Sequence, residues 1–329
     1  MLVGRSGGVT RSTGGGYPRV INCPTMGLLD GQVVIVTGAG RGIGRGEALE
    51  CAAQGAAVVV AEFDPDAGEA VAKEIVTAGG RAVTVGGDVA EAEVADALVA
   101  TAVSEFGRLD AVVNNAGILR DRTVAKLSDD DWDAVIRVHL RGHFLPTRAA
   151  VRHWRETKRP GHLVHTSSTS GLLGNFGQSN YGAAKAGIAA FSTIVAMEGA
   201  RAGITSNAIA PTALTRMTLD LMPDEFRASR DAAIERGEFD FFAPENVAPL
   251  VAFLCSDASS HISGKVFGVQ GDSIEIFQPF TSVAEIRNDG RRWDPQDIPG
   301  RIDELFAESG IQAATENMMA RMRYQILDT

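Results

Sequence analysis

The sequence predicts an α/β protein whose parallel sheet is wound on both sides by helices. Short β-branched runs alternate with helical stretches over residues 32–113, and a glycine-rich turn joins the first run directly to a helix. Alternation of this kind favours right-handed crossovers and a doubly wound sheet. The chain has 329 residues, 45% apolar and 22% charged, which is enough for one large core or two small ones.

The first run, residues 32–36, suits a buried strand of a parallel sheet. It leads into the turn 37–45 and then into a helical stretch from residue 47. This order is the context of a dinucleotide site, because glycines let the backbone approach a pyrophosphate that the helix N-terminus stabilises. The turn residues expected at the cofactor are Gly38, Arg41, Gly42, Ile43 and Gly44.

A second strand, residues 57–61, ends at Glu62. A carboxylate there accepts hydrogen bonds from the adenosine ribose and repels a 2′-phosphate, which favours NAD over NADP. Arg41 indicates the opposite, because a guanidinium can pair with a 2′-phosphate. We give Glu62 the greater weight because its position is tied to the strand end; the alternative is a solvated loop residue.

The alternation continues with a helix at 66–78, a strand at 82–85, a helix at 91–106 and a strand at 111–113. Asp88 and Val89 follow the third strand, and Asp88 is expected to hydrogen-bond the adenine amino group. Asn115 follows the fourth strand and is expected at the cofactor, either binding it or tying neighbouring strands together.

A candidate catalytic set follows the apolar run 162–166, which predicts a fifth strand ending near Ser168. Tyr181 and Lys185 are four residues apart, so they share one face of a helix. An ammonium beside a phenol lowers a pKa that is otherwise about 10, so Tyr181 is expected to exchange a proton with an alcohol or carbonyl. Ser168 would present its hydroxyl to the same oxygen. The alternative is simple packing with a solvated charge.

Composition argues against several classes of partner. The net charge is −10, which disfavours nucleic acid and anionic membrane surfaces, and no apolar run approaches the roughly 20 residues of a membrane span. Cys23, Cys51 and Cys255 lie far apart, and neither they nor the six histidines show metal-ligand spacing. We therefore expect no metal, and reduced thiols in a cytoplasmic protein.

The two ends of the chain are predicted to lie outside the dinucleotide-binding domain. Residues 1–25 are rich in Gly, Ser and Arg, carry no acidic residue, and are predicted to be a disordered tail without a secretory signal. Residues 26–275 are predicted as the dinucleotide-binding domain and 276–329 as a C-terminal extension with a helix near 298–308. The last residues do not resemble a peroxisomal address.

The glycine turn, the motif 114–117, Ser168 and the Tyr181–Lys185 pair together resemble the short-chain dehydrogenase/reductase family over about residues 28–275. The resemblance implies a Rossmann fold, a nicotinamide cofactor, and oxidation of a secondary alcohol to a ketone. It assigns Tyr181 as general base, Lys185 to the nicotinamide ribose, and the Leu214 backbone to the carboxamide. It also implies a homodimer or homotetramer.

Residues 131–144, 174–181, 209–218 with 222–223, and 244–251 are similar to the family branch that includes the (3R)-hydroxyacyl-CoA dehydrogenase domain of peroxisomal multifunctional enzyme type 2. That domain is also called 17β-hydroxysteroid dehydrogenase type 4. This implies a 3-hydroxyacyl-CoA or hydroxysteroid substrate, and an extension that reaches the neighbouring subunit's site. His139 stands where the wider family has a helix-kinking Asn that holds a relay water. Thr212 replaces a Gly, so the loop after the sixth strand is expected to differ.

Two rival functions stay open at this point: an NADPH-dependent ketoreductase, and a non-catalytic scaffold that senses a dinucleotide. Residues 216–243 are interpreted as a lid over the substrate, with a surface helix pair as the alternative. Residues 245–255 are predicted as a helix, and 261–269 as the edge strand that completes the sheet.

Overall fold

A computed structural model describes residues 27–215, 223–278 and 280–315. Its centre is one eight-stranded sheet in the order β3-β2-β1-β4-β5-β6-β7-β8, in which β1 to β7 are parallel and β8 is antiparallel to β7. The predicted doubly wound parallel sheet is confirmed. The tail predicted at 1–25 lies outside the described residues.

The strands are β1 Val33–Thr37, β2 Ala57–Glu62, β3 Arg81–Gly86, β4 Ala111–Asn114, β5 Gly161–Thr166, β6 Ile204–Thr212, β7 Val266–Gln270 and β8 Ser273–Phe277. β1 shows why the central strands read as unbroken apolar runs. Val34 and Val36 pack on one face of the sheet, whereas Val33 and Ile35 pack on the other, because successive side chains alternate. Both faces are therefore buried under helices.

The helices of the described residues are α1 Gly42–Ala53, α2 Pro65–Thr77, α3 Ala92–Phe106, α4 Asp129–Ile136, α5 Gly142–Thr157, α6 Thr169–Leu173, α7 Ser179–Gly199, α8 Asp224–Glu235, α9 Ala248–Leu254 and α10 Ile302–Ser309. Apolar residues of α1, α2 and α9 pack on one face of the sheet. Those of α3, α5 and α7 pack on the other. None of the helices in this part of the chain combines the length and hydropathy needed to cross a lipid bilayer.

The edge of the sheet differs from the prediction. β7 was expected to be the edge strand, but β8 returns beside it through a two-residue hairpin loop at residues 271–272. Gly271 has φ +51°, the left-handed conformation that such loops favour. β8 also runs across residue 276, where the C-terminal extension was predicted to begin.

In the last third, the helix predicted near 298–308 is present, whereas the lid stays a prediction. β6 continues in extended conformation through Thr212, which pairs with Gln270. The described part of the predicted lid contains α8, and residues 216–222 lie outside the described residues. The helix expected near 298–308 is α10, at Ile302–Ser309.

Candidate active site

The predicted site residues gather along one edge of the sheet, because the carboxyl ends of parallel strands meet there. They follow β1, β2, β3, β4, β5 and β6 in turn, and they are the glycine turn, Glu62, Asp88, Asn115, Ser168 and Leu214. The strand order reverses between β1 and β4, which makes this edge a topological switch point. Crevices at such points are where α/β sheets bind ligands.

The glycine turn brings backbone, not side chains, to a cavity of about 210 Å³. Gly38 and Gly42 have φ +64° and +55°, and a Cβ on Gly44 would lie 2.2 Å from the Gly38 carbonyl oxygen. α1 begins at Gly42 and carries no acidic residue in its first turn. Its N-terminus is therefore free to stabilise an anion, and the cradle fits the pyrophosphate of a dinucleotide.

Asn115 connects the end of β4 to the start of the glycine turn through hydrogen bonds. Its backbone N–H donates to the Thr37 hydroxyl at 2.9 Å, and its side-chain amide donates to the Thr37 and Gly38 carbonyl oxygens at 3.1 and 3.3 Å. Of the two roles predicted for Asn115, these contacts match the tie between neighbouring strands, here β1 and β4.

A second cavity, of about 380 Å³, continues past the end of β2 and includes Val89 in its lining. Glu62 lines it and accepts hydrogen bonds from the N–H of Gly40 at 2.7 Å and of Phe63 at 3.0 Å. Arg41 also lines it, but its guanidinium donates to the Asp64 carboxylate at 2.6 Å. The two residues therefore differ: Glu62 forms no ion pair among the described residues, whereas Arg41 is paired.

Asp88 lies at the far end of the same cavity. Its carboxylate accepts from the Arg137 guanidinium at 2.6 Å and from the Ala90 N–H at 2.8 Å. Burial raises the pKa of Asp88, but these hydrogen bonds outweigh burial and the pKa is lowered. The residue is therefore a held carboxylate, and its contact with adenine stays a prediction.

The structure brings Ser168, Tyr181 and Lys185 together. Ser168 follows β5 and caps α6, where its hydroxyl accepts from the Ser170 N–H at 3.2 Å. Tyr181 lies in the first turn of α7, and the Lys185 ammonium is 5.5 Å from the centroid of its ring. Lys185 is only 2% exposed and donates to the carbonyl oxygen of Thr166, the last residue of β5.

The electrostatics of this trio correct one expectation. Burial raises the pKa of Tyr181, a hydrogen bond from Ser168 lowers it, and the charge of Asp121 raises it, with a net increase. Burial lowers the pKa of Lys185 itself to about 7. The net increase is opposite to the lowered phenol pKa that was expected from the Lys185 ammonium, because burial disfavours the phenolate and is the largest cause of the Tyr181 shift.

His139 also reaches this site. It lies in a π-helical turn, Arg137–Arg141, between α4 and α5, and its ring meets the Tyr181 ring edge-on at 5.3 Å. Its Nε2 is 2.8 Å from the Ile118 carbonyl oxygen and 3.1 Å from the Ile118 N–H. Burial and the charge of Lys185 lower the pKa of His139 to about 3, so the ring is neutral. A Cβ on Gly117 would lie 2.4 Å from the ring.

Leu214 lies just beyond β6 and is nearly buried. Its backbone N–H donates to the Phe242 carbonyl oxygen at 2.9 Å, which ties the end of β6 to the segment that follows α8. The amide is thus already used within the protein. A contact between the Leu214 backbone and a carboxamide stays a prediction.

Sequence reasoning missed four groups that shape the site: the Thr166 carbonyl, Asp64, Asp121 and Glu47. Asp64 precedes Pro65 at the start of α2, a pattern typical of a helix cap, and it does cap that helix. Glu47 lies three residues after Gly44 on the inward face of α1, so helical periodicity could have found it. No sequence signal marks a backbone carbonyl as the partner of Lys185.

The sheet, the glycine cradle and the candidate trio Ser168, Tyr181 and Lys185 are the features expected of a dinucleotide-dependent oxidoreductase. The profile of the short chain dehydrogenase family matches residues 32–225. The chain belongs to the short-chain dehydrogenase/reductase family, whose members use a nicotinamide dinucleotide.

Known proteins similar to the chain agree with this assignment. Hydroxyacyl-CoA dehydrogenase ChsB1 of Mycobacterium tuberculosis is 43% identical over 291 residues, covering 85% of this chain and 90% of that protein. Peroxisomal multifunctional enzyme type 2 of Mus musculus is 43% identical over 244 residues, 71% of this chain and 31% of that protein. The crystal structure of a short chain dehydrogenase from Mycobacterium avium is 43% identical with a TM-score of 0.78, covering 88% of this chain and 99% of that chain. The predicted resemblance to this family and branch is confirmed.

Proposed function

We propose that the chain is an NAD-dependent dehydrogenase that oxidises a secondary alcohol to a ketone, with a 3-hydroxyacyl-CoA as its substrate and a hydroxysteroid as the alternative. The observation that carries the proposal is the convergence of three side chains: Ser168 hydrogen-bonds the Tyr181 phenol, and the Lys185 ammonium is 5.5 Å from the centroid of the Tyr181 ring. Acid–base groups at the end of a dinucleotide cleft are what alcohol oxidation requires, whereas a scaffold that only senses a dinucleotide needs none of them.

In this mechanism the hydroxyl of Ser168 donates a hydrogen bond to the substrate oxygen and fixes its position. The Tyr181 phenolate accepts the hydroxyl proton as the C–H bond breaks, and the substrate becomes a ketone. The cofactor, when bound, supplies the hydride acceptor at C4 of the nicotinamide ring. His139 holds the edge of the Tyr181 ring, because its own Nε2 is held by the backbone of Ile118.

Lys185 has two roles in the proposal. Its ammonium donates to the Thr166 carbonyl, which fixes the side chain near Tyr181, and its remaining N–H groups would hold the nicotinamide ribose hydroxyls. Because burial lowers the pKa of Lys185 to about 7, the amine exchanges protons near neutral pH. It can therefore help to return Tyr181 to its starting protonation state between turnovers.

The preference for NAD is supported by the charges around the second cavity. Glu62 forms no ion pair within the part of the chain that the structure describes and is positioned by backbone N–H groups, so it can accept from a ribose hydroxyl and repels a 2′-phosphate. Arg41, the residue that would favour NADP, is paired with Asp64. These contacts argue against the NADPH-dependent ketoreductase.

The substrate class rests on the relatives, of which one is by name a hydroxyacyl-CoA dehydrogenase. The test is to measure NADH release from matched (3R)- and (3S)-hydroxyacyl-CoA thioesters and from free hydroxysteroids. We expect turnover of the (3R) thioesters with NAD⁺. Turnover of hydroxysteroids alone would select the alternative substrate, and no NADH release from any alcohol would contradict the dehydrogenase.

We also propose that the C-terminal extension, which begins after β8 at residue 278, is an arm that supports a homodimer or homotetramer. In the single chain, Phe280 is 98% exposed and Val283 58% exposed, and apolar side chains left exposed in this way are typical of surfaces that a second subunit covers.

The free thiols of Cys51 and Cys255 are consistent with a cytoplasmic protein.

Deleting residues 280–329 tests the arm and leaves β8 intact. We expect the truncated chain to dissociate to monomers, because the arm would otherwise bury its apolar residues on the partner, and this is measured by light scattering. A urea unfolding curve checks that the truncated domain still folds. An unchanged oligomer with full activity would rule the arm out.

A further inference from the structure

The second cavity has an uneven distribution of charge. Its lining contains three carboxylates, Glu62, Asp64 and Asp88, and Arg41 is the only cation among its described lining residues. Asp88 is paired with Arg137, which lies outside this lining, and Asp64 is paired with Arg41. Glu62 therefore remains as the carboxylate without a cationic partner among the described residues.

Arg41 and Asp64 face each other across the entrance to the glycine turn. Arg41 is the residue that precedes α1, and Asp64 is the residue that precedes α2. The guanidinium donates to the carboxylate at 2.6 Å, and both side chains are partly exposed, at 49% and 39%. Asp64 also accepts from the Ala67 N–H at 3.5 Å, so the carboxylate is held by the helix that it caps.

We propose that Asp64 is a specificity-determining residue that excludes a 2′-phosphorylated dinucleotide by holding Arg41 in an ion pair. The proposal rests on the NAD-dependent function argued above. A 2′-phosphate would bring about −1.5 to −2 charges beside Glu62. Arg41 is the described lining cation that could neutralise it, and the Asp64 carboxylate already occupies that guanidinium while adding a further negative charge.

Two residues, Glu62 and Asp64, then select the cofactor. Glu62 acts directly, because its carboxylate is placed for a ribose hydroxyl. Asp64 acts through Arg41 and need not touch the cofactor. Removing the charge of Asp64 alone should therefore raise the affinity for NADP⁺ while the Glu62 contact with NAD⁺ is kept.

The variant that tests this is Asp64→Asn, because Asn retains the cap of α2 and removes only the charge. Binding of NAD⁺ and NADP⁺ to the full chain is measured by calorimetric titration without substrate. We expect the dissociation constant for NADP⁺ to fall by about tenfold or more and that for NAD⁺ to stay within about threefold.

Two further variants test whether the gain in NADP⁺ affinity depends on the Arg41–Asp64 ion pair. Glu74→Gln breaks the other α1–α2 ion pair, Arg45 to Glu74 at 2.7 Å, whose residues lie outside the cavity lining, and it should leave the ratio of the two constants unchanged. Adding Arg41→Ala to Asp64→Asn should abolish the gain in NADP⁺ affinity, since the gain requires the freed guanidinium.

The outcomes separate this inference from the proposed function. If the wild-type chain binds NAD⁺ more tightly and Asp64→Asn leaves the ratio unchanged, only the inference is overturned. A gain that persists without Arg41, or that Glu74→Gln reproduces, overturns it as well. A wild-type chain that prefers NADP⁺, or that binds neither dinucleotide, overturns the proposed cofactor and the inference together.

Discussion

Tyr181→Phe is expected to lower turnover by about 10²–10⁴-fold, the usual contribution of general acid–base catalysis. The substitution removes only the phenol oxygen and keeps the ring that packs edge-on against His139. The affinity for NAD⁺ should therefore stay close to that of the wild type. Steady-state kinetics with a (3R)-hydroxyacyl-CoA and calorimetric titration of NAD⁺ check the two halves of this prediction.

The pH dependence of the same reaction supplies the control. Oxidation needs the phenolate, and the pKa of Tyr181 is raised above its usual value of 10.0. The rate of oxidation should therefore climb as pH rises through the alkaline range, and Tyr181→Phe should lack this rise. Near-normal turnover in the variant, or an identical alkaline rise, would remove Tyr181 from the proton transfer.

Glu47→Gln is expected to change the pH dependence of stability more than any other substitution considered for this chain. Glu47 is fully buried, and neither of its carboxylate oxygens has a hydrogen-bond partner among the described residues. Burial raises its pKa from 4.5 to about 8, although the charge of Lys185 lowers it. Between these values the unfolded carboxyl has lost its proton and the folded one retains it, so stability falls as pH rises.

Gln cannot ionise, so the variant should lack this fall. The free energy of unfolding of the variant minus that of the wild type should grow by roughly 3–5 kcal/mol between pH 4.5 and pH 8. Urea unfolding across this range measures it. Glu50→Gln, on the more exposed side of α1, is the matched control and should leave the pH dependence nearly unchanged. A constant difference between Glu47→Gln and the wild type would mean that Glu47 is already ionised in the folded protein.

Much of the fold follows from local patterns. The strands β1 to β5 lie within a residue or two of their predicted positions, because β-branched runs bounded by turns produce the same signal wherever they lie in a sheet. β8, Ser273–Phe277, was missed, because the predicted edge strand ended at residue 269 and the predicted extension began at residue 276, inside β8. Its strand conformation depends on pairing with β7.

The candidate site also contains some features that the sequence predicts and others that it does not. The glycine cradle, Glu62, Ser168 and the Tyr181–Lys185 spacing could be predicted, because their chemistry follows from residue type and position along an element. The direction of the Tyr181 pKa and the pairing of Arg41 could not. Desolvation and Coulomb interactions depend on groups that are distant in sequence, such as Asp121 for Tyr181.

The sequence by itself determined the doubly wound sheet, the glycine cradle and the candidate acid–base residues, since each follows from periodicity or spacing over a few residues. Only the tertiary structure decided that Lys185 is directed at the Thr166 carbonyl, that Asp64 holds Arg41, and that Glu47 is buried with no hydrogen-bond partner among the described residues. The reason is physical: burial and charge pairing are properties of neighbours in space, and the order of residues along the chain does not state them.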